Sequence, residues 1–254
     1  MNRTGLIIAL VIAAVAGVIF ALFPEIELQI ARPFYEIVDA NHNVFSLRFY
    51  EPFARVRDGA LWLSALLVAP AVAALLLKLI HPQGKLLVPG RAIVFLVSTL
   101  ILGPGLLVNV TLKDHWGRPR PIEVTQFEGT EHFVPWWDPR GECDKNCSFV
   151  SGDVAGAIWT MAPAALAPPQ WRALAYGGSL ALGAIIAALR IVQGGHFVSD
   201  AIFAGVFTFL IIWIAYGLIY RWPRTRLSDA AIERALERFS ASIAGLFGKR
   251  KSEP

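Results

Sequence analysis

Long uncharged stretches recur along this sequence, and each is about as long as a lipid bilayer is thick. A transmembrane helix needs roughly 20 consecutive apolar residues. Only 17% of the 254 residues are charged and 56% are hydrophobic, whereas a soluble domain usually carries about a quarter charged residues. The sequence therefore predicts a polytopic helical membrane protein of the all-α class, a bundle of six transmembrane helices.

The six predicted spans are separated by polar segments or by proline. They cover residues 5–23, 59–80, 91–112, 151–167, 171–189 and 198–220. The first run has no small-residue cleavage site at its end, which favours an uncleaved span over a signal peptide. Gly103, Pro104 and Gly105 predict a kink in the third span, because proline removes a backbone donor. We divide the chain into a membrane domain, 1–226 with its core at 91–220, and a tail, 227–254.

The distribution of basic residues predicts the orientation of these spans. The short loop at 78–91 has three basic residues and no acidic one, and residues 221–254 have eight basic residues against four acidic ones. The loops at 24–58 and 113–150 together carry nine basic and thirteen acidic residues. Both termini are therefore predicted to be cytoplasmic. In a bacterial inner (plasma) membrane, this places the long 113–150 loop in the periplasm.

Two segments outside the predicted spans have helical periodicity. The first loop has an apolar stripe that Pro33 interrupts, which fits a loop helix packed on the bundle or a helix in the membrane interface near a lipid entrance. The tail predicts an amphipathic cytoplasmic helix over 228–247, lying on the anionic inner surface. The two apolar faces consist of Ile26, Ile30, Phe34 and Ile37, and of Ile232, Leu236, Phe239, Ile243 and Phe247.

Cys143 and Cys147 are the only cysteines, and both lie in the loop predicted to face outward. An oxidising compartment favours a disulfide between them, which would hold the chain just before Ser148. The alternative is a pair of reduced thiols. A metal site would need more ligands than His132, the only nearby histidine, provides. We therefore predict no metal and no other cofactor.

Three polar clusters, at 113–121, 148–153 and 190–200, lie at the predicted outer ends of spans three to six, where they can converge. Ionisable groups at a membrane boundary are costly and usually functional. Lys113, Arg120 and Arg190 supply positive charge, and each arginine can bind two oxygens at once. Ser151 and Gly152 are predicted to begin a helix, where free N–H groups and the helix dipole favour an anion. Together these residues predict a cradle for phosphate.

His196 and Asp200 are four residues apart, so they are neighbours on one face if the turn is helical. A carboxylate behind an imidazole fixes the tautomer of the ring and raises its basicity. Such a ring is suited to act as a nucleophile or as a general base. The pair therefore predicts chemistry on the bound phosphate.

The three clusters resemble the signature motifs of the type 2 phosphatidic acid phosphatase superfamily. The motif Lys-x6-Arg-Pro is matched completely, Arg-x5-His-x3-Asp is matched with leucine in place of a preceding serine, and Pro-Ser-Gly-His is matched in part. The matching positions are Lys113, Arg120 and Pro121; Leu189, Arg190, His196 and Asp200; and Val150, Ser151, Gly152 and Asp153.

The resemblance implies a metal-independent phosphatase that acts on lipid phosphates at the membrane surface. It implies that His196 attacks phosphorus to form a phosphohistidine and that Asp200 orients the ring. Stabilising the negative charge that spreads over the phosphoryl oxygens is the main task of such a site. The resemblance assigns that task to Lys113, Arg120, Arg190, Ser151 and Gly152.

Asp153 departs from the family motif, in which a histidine is thought to protonate the leaving alkoxide. An ionised carboxylate cannot donate a proton, so Asp153 can be the acid only where its environment keeps it protonated or pairs it with a base. Three alternatives follow. Asp153 takes the acid role; another group such as His115, or water, takes it; or the leaving group is itself a phosphate and needs little protonation.

The leading functional prediction is hydrolysis of a phosphomonoester or diphosphate on a membrane lipid. The candidate substrates are lipid A, undecaprenyl diphosphate, phosphatidylglycerol phosphate and phosphatidic acid. Phosphotransfer to an acceptor lipid through the same intermediate is a second enzymatic possibility. A non-catalytic lipid-phosphate transporter or binding protein is the alternative from another class, but transport does not need the His196–Asp200 pair. The basic residues form no stripe interleaved with exposed aromatics, which argues against nucleic acid as a partner.

Overall fold

The computed structural model describes residues 2–39 and 42–249, and within them all side chains except those of 37–39, 42–44 and 243–249. In chain order the elements are α1 (Arg3–Leu22), α2 (Glu25–Ala31), β1 (Tyr35–Asp39), β2 (His42–Phe45), α3 (Glu51–Ile80), α4 (Gly90–Leu100), α5 (Lys113–His115), α6 (Gly152–Trp159), α7 (Met161–Leu166), α8 (Pro169–Val192), α9 (Val198–Tyr216) and α10 (Asp229–Lys249). Short 3₁₀ turns lie at Arg32–Phe34, Pro121–Glu123 and Thr125–Phe127, and π-helical turns at Ile101–Leu112 and Gly217–Arg221.

Five helices in the described part of the chain are long and apolar enough to cross a bilayer. They are Arg3–Leu22, Glu51–Ile80, Gly90–His115, Pro169–Val192 and Val198–Arg221, and they coincide with the first, second, third, fifth and sixth predicted spans. This is a mostly helical membrane protein.

The fourth predicted span, 151–167, is formed by two short helices. α6 and α7 meet at Thr160, and ten of their fourteen residues are buried. α6 packs against α3, α8 and α9, so its apolar side chains contact protein in place of lipid. The count of six membrane crossings stays a prediction.

The third predicted span is a single helical rod that changes its winding. α4 continues through the π-helical turns of Ile101–Leu112 into α5. Pro104 lies in the π-helical segment, and its carbonyl oxygen accepts a hydrogen bond from Asn109 Nδ2 at 2.7 Å. Pro104 has no N–H to donate within the helix, and the wider π-helical turns accommodate this lost hydrogen bond. The disturbance predicted at 103–105 therefore takes the form of π-helical winding.

The first loop is not one continuous helix. α2 ends at Ala31, and after the turn at Arg32–Phe34 the chain forms the antiparallel pair β1–β2, with Tyr35 opposite Phe45. Because Pro33 lies within that turn, the predicted apolar stripe breaks before residue 37, whose side chain lies outside those described. This hairpin is the exception to the predicted all-α class.

The tail helix α10 docks on the ends of α3 and α4. Lys78 Nζ lies 3.0 Å from Glu233 Oε1 and 2.8 Å from Glu237 Oε1, and the Lys78 side chain is only 2% exposed. Ile232 is buried, and its branched carbon would lie 3.0 Å from a Cβ added to Gly90. The glycine at the start of α4 therefore lets the tail helix approach closely.

Part of the predicted membrane-binding face of the tail packs against the helix bundle, and part of it is exposed. Ile232 contacts the bundle, whereas Phe239 is 57% exposed. Ile243 and Phe247 belong to the same predicted face, but their side chains lie outside those described. Binding of this face to an anionic membrane surface and the domain boundary at 226–227 stay predictions.

Candidate active site

His196 lies in the turn between α8 and α9 and is 1% exposed. Its Nδ1 is 2.7 Å from the carbonyl oxygen of Ser148. Because a carbonyl oxygen only accepts, Nδ1 carries the proton and Nε2 keeps its lone pair. Burial lowers the pKa of His196 well below its ordinary value of 6.5, and the charges of Arg190, Lys113 and Arg120 lower it further. The ring is therefore neutral, the form in which Nε2 can act as a nucleophile.

The three predicted phosphate-binding cations come from separate segments. Lys113 begins α5, Arg120 precedes the 3₁₀ turn at Pro121–Glu123, and Arg190 lies in the last turn of α8. Arg120 Nη2 donates to the carbonyl oxygen of Asn146 at 2.6 Å. All three charges act on His196, so the structure brings together cations that are far apart in sequence. Such a group of cations suits a multiply charged oxyanion.

Arg190 is held by three neighbours. Its Nη1 donates to Gln193 Oε1 at 3.1 Å, and its Nε lies 3.0 Å from Asp153 Oδ2 as an ion pair. Its guanidinium also lies against Gly195, where an added Cβ would come within 2.7 Å of Arg190 Cζ. Asp153, the predicted proton donor, is therefore paired with one of the predicted phosphate ligands.

The start of α6 lies beside the same cluster. Ser151 is the N-cap residue, and its Oγ accepts a hydrogen bond from the backbone N–H of Val154 at 3.4 Å. The backbone N–H of Ser151 itself donates to the carbonyl oxygen of Asp200 at 3.2 Å. A Cβ on Gly152 would lie 2.5 Å from Asn109 Oδ1. In the structure, the close approach that requires glycine at position 152 is made by Asn109, and binding of an anion there stays a prediction.

Asp200 lies beside His196 but does not hydrogen-bond it. The distance from His196 Nδ1 to Asp200 Oδ2 is 3.9 Å. Asp200 Oδ2 instead accepts from Ser148 Oγ at 2.5 Å and from the backbone N–H of Phe197 at 2.8 Å. The reason is that α9 begins only at Val198, so His196 lies before the helix and the i, i+4 geometry does not apply to it.

Arg118 is a buried charged residue that we did not predict as part of the site. It is 0% exposed, its Nη1 donates to Asp200 Oδ1 at 2.6 Å, and its Nη2 donates to Glu27 Oε2 at 2.6 Å. The charges of Asp200 and Glu27 raise the pKa of Arg118 although burial opposes this. Two features of the sequence could have indicated this ion pair. Arg118 lies two positions before Arg120, and Glu27 lies within an apolar helical stripe.

Cys143 and Cys147 form a disulfide, with their Cα atoms 5.8 Å apart. The backbone N–H of Cys147 donates to the carbonyl oxygen of Lys113 at 2.8 Å, and that of Ser148 donates to the carbonyl oxygen of Arg118 at 2.7 Å. The crosslinked segment thus runs beside the first cluster and places the Ser148 carbonyl against His196.

Three potential metal ligands lie close together in the described part of the chain. Ligand atoms of Glu123, Glu131 and Cys143 are within 4.8 Å of one another. The sulfur of Cys143 is already bonded to Cys147, and a metal requires a thiolate. The cluster therefore offers two carboxylates and no sulfur ligand.

Comparison with known proteins identifies the family. Residues 92–224 match the PAP2 superfamily. The chain belongs to the PAP2 superfamily. It is 34% identical over 227 residues to a Lipid A 4'-phosphatase of Francisella tularensis subsp. novicida (strain U112), an alignment that covers 87% of this chain and 98% of the relative. This PAP2 protein is a phosphatase, and hence a hydrolase.

Two further relatives have the same name and match shorter segments. The Lipid A 4'-phosphatase of Rhizobium leguminosarum is 40% identical over 119 residues, which cover 47% of this chain and 51% of the relative. The Lipid A 4'-phosphatase of Rhizobium etli is 41% identical over 104 residues, which cover 41% of this chain and 40% of the relative. No solved structure matches the PAP2 chain described here.

Proposed function

We propose that this phosphatase hydrolyses a lipid phosphate through a phosphohistidine on His196, at the periplasmic face of a bacterial inner membrane. The observation that carries the proposal is the hydrogen bond that orients the imidazole. Its Nδ1 is held by the Ser148 carbonyl at 2.7 Å, so Nε2 is the atom available for attack. The charges of Lys113, Arg120 and Arg190 act on the same ring, where they would bind the phosphate.

Lipid A is the proposed substrate. The similarity to three proteins named Lipid A 4'-phosphatase supports it, and the Francisella relative is matched over 98% of its length. A phosphate ester on such a glycolipid leaves as an alkoxide, which needs a proton. Undecaprenyl diphosphate, phosphatidylglycerol phosphate and phosphatidic acid serve as comparison substrates.

In the first step, His196 Nε2 attacks phosphorus, and the ester P–O bond breaks as the N–P bond forms. The phosphoryl oxygens lie among Lys113, Arg120 and Arg190, with Gly152 at the positive end of α6. These groups counter the charge that spreads over the oxygens in the transition state. The Nδ1–H donated to Ser148 stabilises the ring as it becomes positive.

We propose Asp153 as the acid that protonates the alkoxide. Its Oδ2 is 3.0 Å from Arg190 Nε, which puts it next to the phosphate. In this ion pair the carboxylate carries no proton, so it must take one up from solvent, as the bound phosphate draws the guanidinium away, before it can act as the acid. His115 is less suitable because it is exposed and its Nδ1 lies 3.0 Å from the Thr111 carbonyl oxygen of its own helix. In the second step, water attacks phosphorus, the N–P bond breaks and the Asp153 carboxylate takes a proton from the water.

The test uses the full chain in detergent with ³²P-labelled lipid A and the comparison lipids. We expect phosphate release fastest from lipid A, a labelled protein intermediate after an alkaline quench, and loss of both in His196→Gln. His132→Gln is the matched control, since His132 is exposed and lies in the 113–150 loop. Phosphate release that survives His196→Gln would overturn the proposal. Label that moves to an added lipid in place of water would identify a phosphotransferase, and binding without release a carrier.

A further inference from the structure

A second polar network is buried next to the proposed nucleophile and reaches the first loop. Glu27 is 1% exposed, and Arg118 and Asp200 are 0% exposed. Glu27 belongs to α2, Arg118 follows α5 and Asp200 lies in α9. Burying charges is costly unless they are paired and hydrogen-bonded. Three charges buried together from three parts of the chain therefore require an explanation other than apolar packing.

Arg118 connects the two carboxylates. Its Nη2 donates to Glu27 Oε2 at 2.6 Å, and its Nη1 donates to Asp200 Oδ1 at 2.6 Å and to Ser199 Oγ at 2.8 Å. Its Nε donates to the Val134 carbonyl oxygen at 3.1 Å. The planar guanidinium holds these acceptors at fixed angles, which a lysine ammonium would not do. The orientation of the Asp200 carboxylate thus depends on Arg118.

Glu27 uses both of its oxygens in the same network. Oε1 accepts from the backbone N–H of Ser199 at 3.0 Å and from Ser199 Oγ at 2.6 Å, while Oε2 accepts from Arg118. Burial raises the pKa of Glu27 above its ordinary 4.5, against the opposing charge of Arg118. Glu27 therefore binds the start of α9 and the guanidinium at the same time.

The network ends at the nucleophile. Asp200 Oδ2 accepts from Ser148 Oγ at 2.5 Å, and the Ser148 carbonyl oxygen accepts from His196 Nδ1 at 2.7 Å. Asp200 Oδ2 itself is 3.9 Å from that nitrogen. Ser148 contacts both residues, so the position of Asp200 affects the orientation of the ring through Ser148. Short contacts thus run without a gap from α2 to His196.

We propose that Glu27 is a positioning residue for the nucleophile. It holds Arg118, and Arg118 holds Asp200. Through Ser148 this arrangement fixes the direction in which His196 presents Nε2 to phosphorus. Glu27 makes no contact with the substrate in this role. The inference rests on the proposed phosphohistidine function, and it assigns a part in the reaction to α2, a helix outside the three motif clusters.

The first experiment compares Glu27→Gln with Glu25→Gln in the full chain. Glu25 lies in the same helix but is exposed, which makes it a matched control. Rapid mixing with ³²P-labelled lipid A and an alkaline quench give the amplitude of the labelled burst, which counts competent sites, and its rate, which reports attack. For Glu27→Gln we expect an unchanged amplitude per folded protein, a burst rate about 10- to 100-fold lower, and a KM within about twofold of wild type. Glu25→Gln should match wild type.

A reduced amplitude with a wild-type burst rate would overturn the inference, because Glu27 would then only support folding. Ser199→Ala is a milder second variant that keeps the backbone N–H donated to Glu27 and removes the hydroxyl contacts. We expect it to lower the burst rate in the same direction but by less. An unchanged rate in both variants would also contradict a positioning role.

The second experiment needs no substrate. In protein labelled with ¹⁵N-histidine, the His196 signals are those missing in His196→Gln, and wild type should show Nδ1 protonated and Nε2 unprotonated. Glu27→Gln should shift this ring towards a mixture of tautomers, and Glu25→Gln should not. A wild-type tautomer in Glu27→Gln would overturn the inference. A shifted tautomer together with no labelled intermediate in wild type would instead overturn the proposed function and leave the positioning role standing.

Discussion

Arg190 at the end of α8 and Asp153 at the start of α6 form an ion pair, with 3.0 Å between Nε and Oδ2. One residue is a proposed phosphate ligand and the other is the proposed proton donor. The pair therefore joins the binding of the phosphate to the protonation of its leaving group, and the two roles need separate tests.

Asp153→Asn is expected to lower kcat on lipid A by about 10²- to 10⁴-fold, the usual contribution of a general acid. The loss should be much smaller on p-nitrophenyl phosphate, because nitrophenolate leaves without a proton. Steady-state kinetics of both substrates measure the difference, with the exposed Asp144→Asn as control. Equal losses on the two substrates would mean that Asp153 only holds Arg190.

Gly195→Ala is expected to displace the Arg190 guanidinium, since the added Cβ would come within 2.7 Å of Cζ. Loss of one hydrogen bond to a charged group costs about 1.5–3 kcal/mol, so kcat/KM should fall about 10- to 100-fold. Gly178→Ala is the control, because it lies in the same helix as Arg190 and its added Cβ meets nothing within 4 Å. Equal kcat/KM values for both variants would show that Arg190 does not bind the phosphate.

Burial of a neutral His196 makes the stability of the fold depend on pH. The pKa of His196 is lowered in the folded protein relative to the ordinary 6.5, so below pH 6.5 the unfolded chain binds a proton that the folded protein does not. Stability present above pH 6.5 is therefore lost as the pH falls, by at most about 1.4 kcal/mol per pH unit. The thermal midpoint between pH 7.5 and 5.5 should fall less in His196→Gln than in wild type or His132→Gln. The same fall in all three proteins would contradict the assignment.

The tail helix is expected to contribute to stability and not to catalysis. Glu233→Gln combined with Glu237→Gln leaves Lys78 buried without a carboxylate partner, which is unfavourable. The thermal midpoint should fall, while kcat per folded protein stays unchanged. Adding Lys78→Met to the double variant should recover part of the midpoint, because no unpaired charge then remains. A midpoint that falls further with Lys78→Met would show that the ammonium is satisfied by other groups, such as the Gly84 carbonyl oxygen at 2.8 Å.

Much of the bundle could be predicted because membrane helices follow from the length and polarity of apolar runs. The same rule predicted one span over 151–167, where the structure has two short helices, and α6 packs against α3, α8 and α9. An apolar run alone cannot distinguish a segment enclosed by protein from one that faces lipid. Pro33 correctly raised doubt about a continuous helix in the first loop. The hairpin after it could not be predicted, because alternation in 35–45 is weak and its pairing depends on tertiary contacts.

The motif spacing predicted that Lys113, Arg120 and Arg190 lie around His196, because residues at helix ends on one side of a bundle can converge. Spacing could not predict that the imidazole would bind a main-chain oxygen in place of Asp200, since that depends on where α9 begins. It also gave no reason to connect Glu27 with Arg118, which are 91 positions apart. Such long-range pairs are determined by packing and not by local pattern.

Ser148 serves two neighbours through two different atoms: its hydroxyl hydrogen-bonds Asp200 and its carbonyl oxygen hydrogen-bonds His196. Every amino acid has that carbonyl, so Ser148→Ala would remove only the hydroxyl contact to Asp200 and leave the imidazole contact in place. Replacing the amide that follows Ser148 with an ester would weaken this oxygen as an acceptor without changing any side chain. Side-chain substitution therefore cannot remove the main-chain oxygen that contacts the nucleophile, and an ester at this position tests that contact separately from the hydroxyl contact to Asp200.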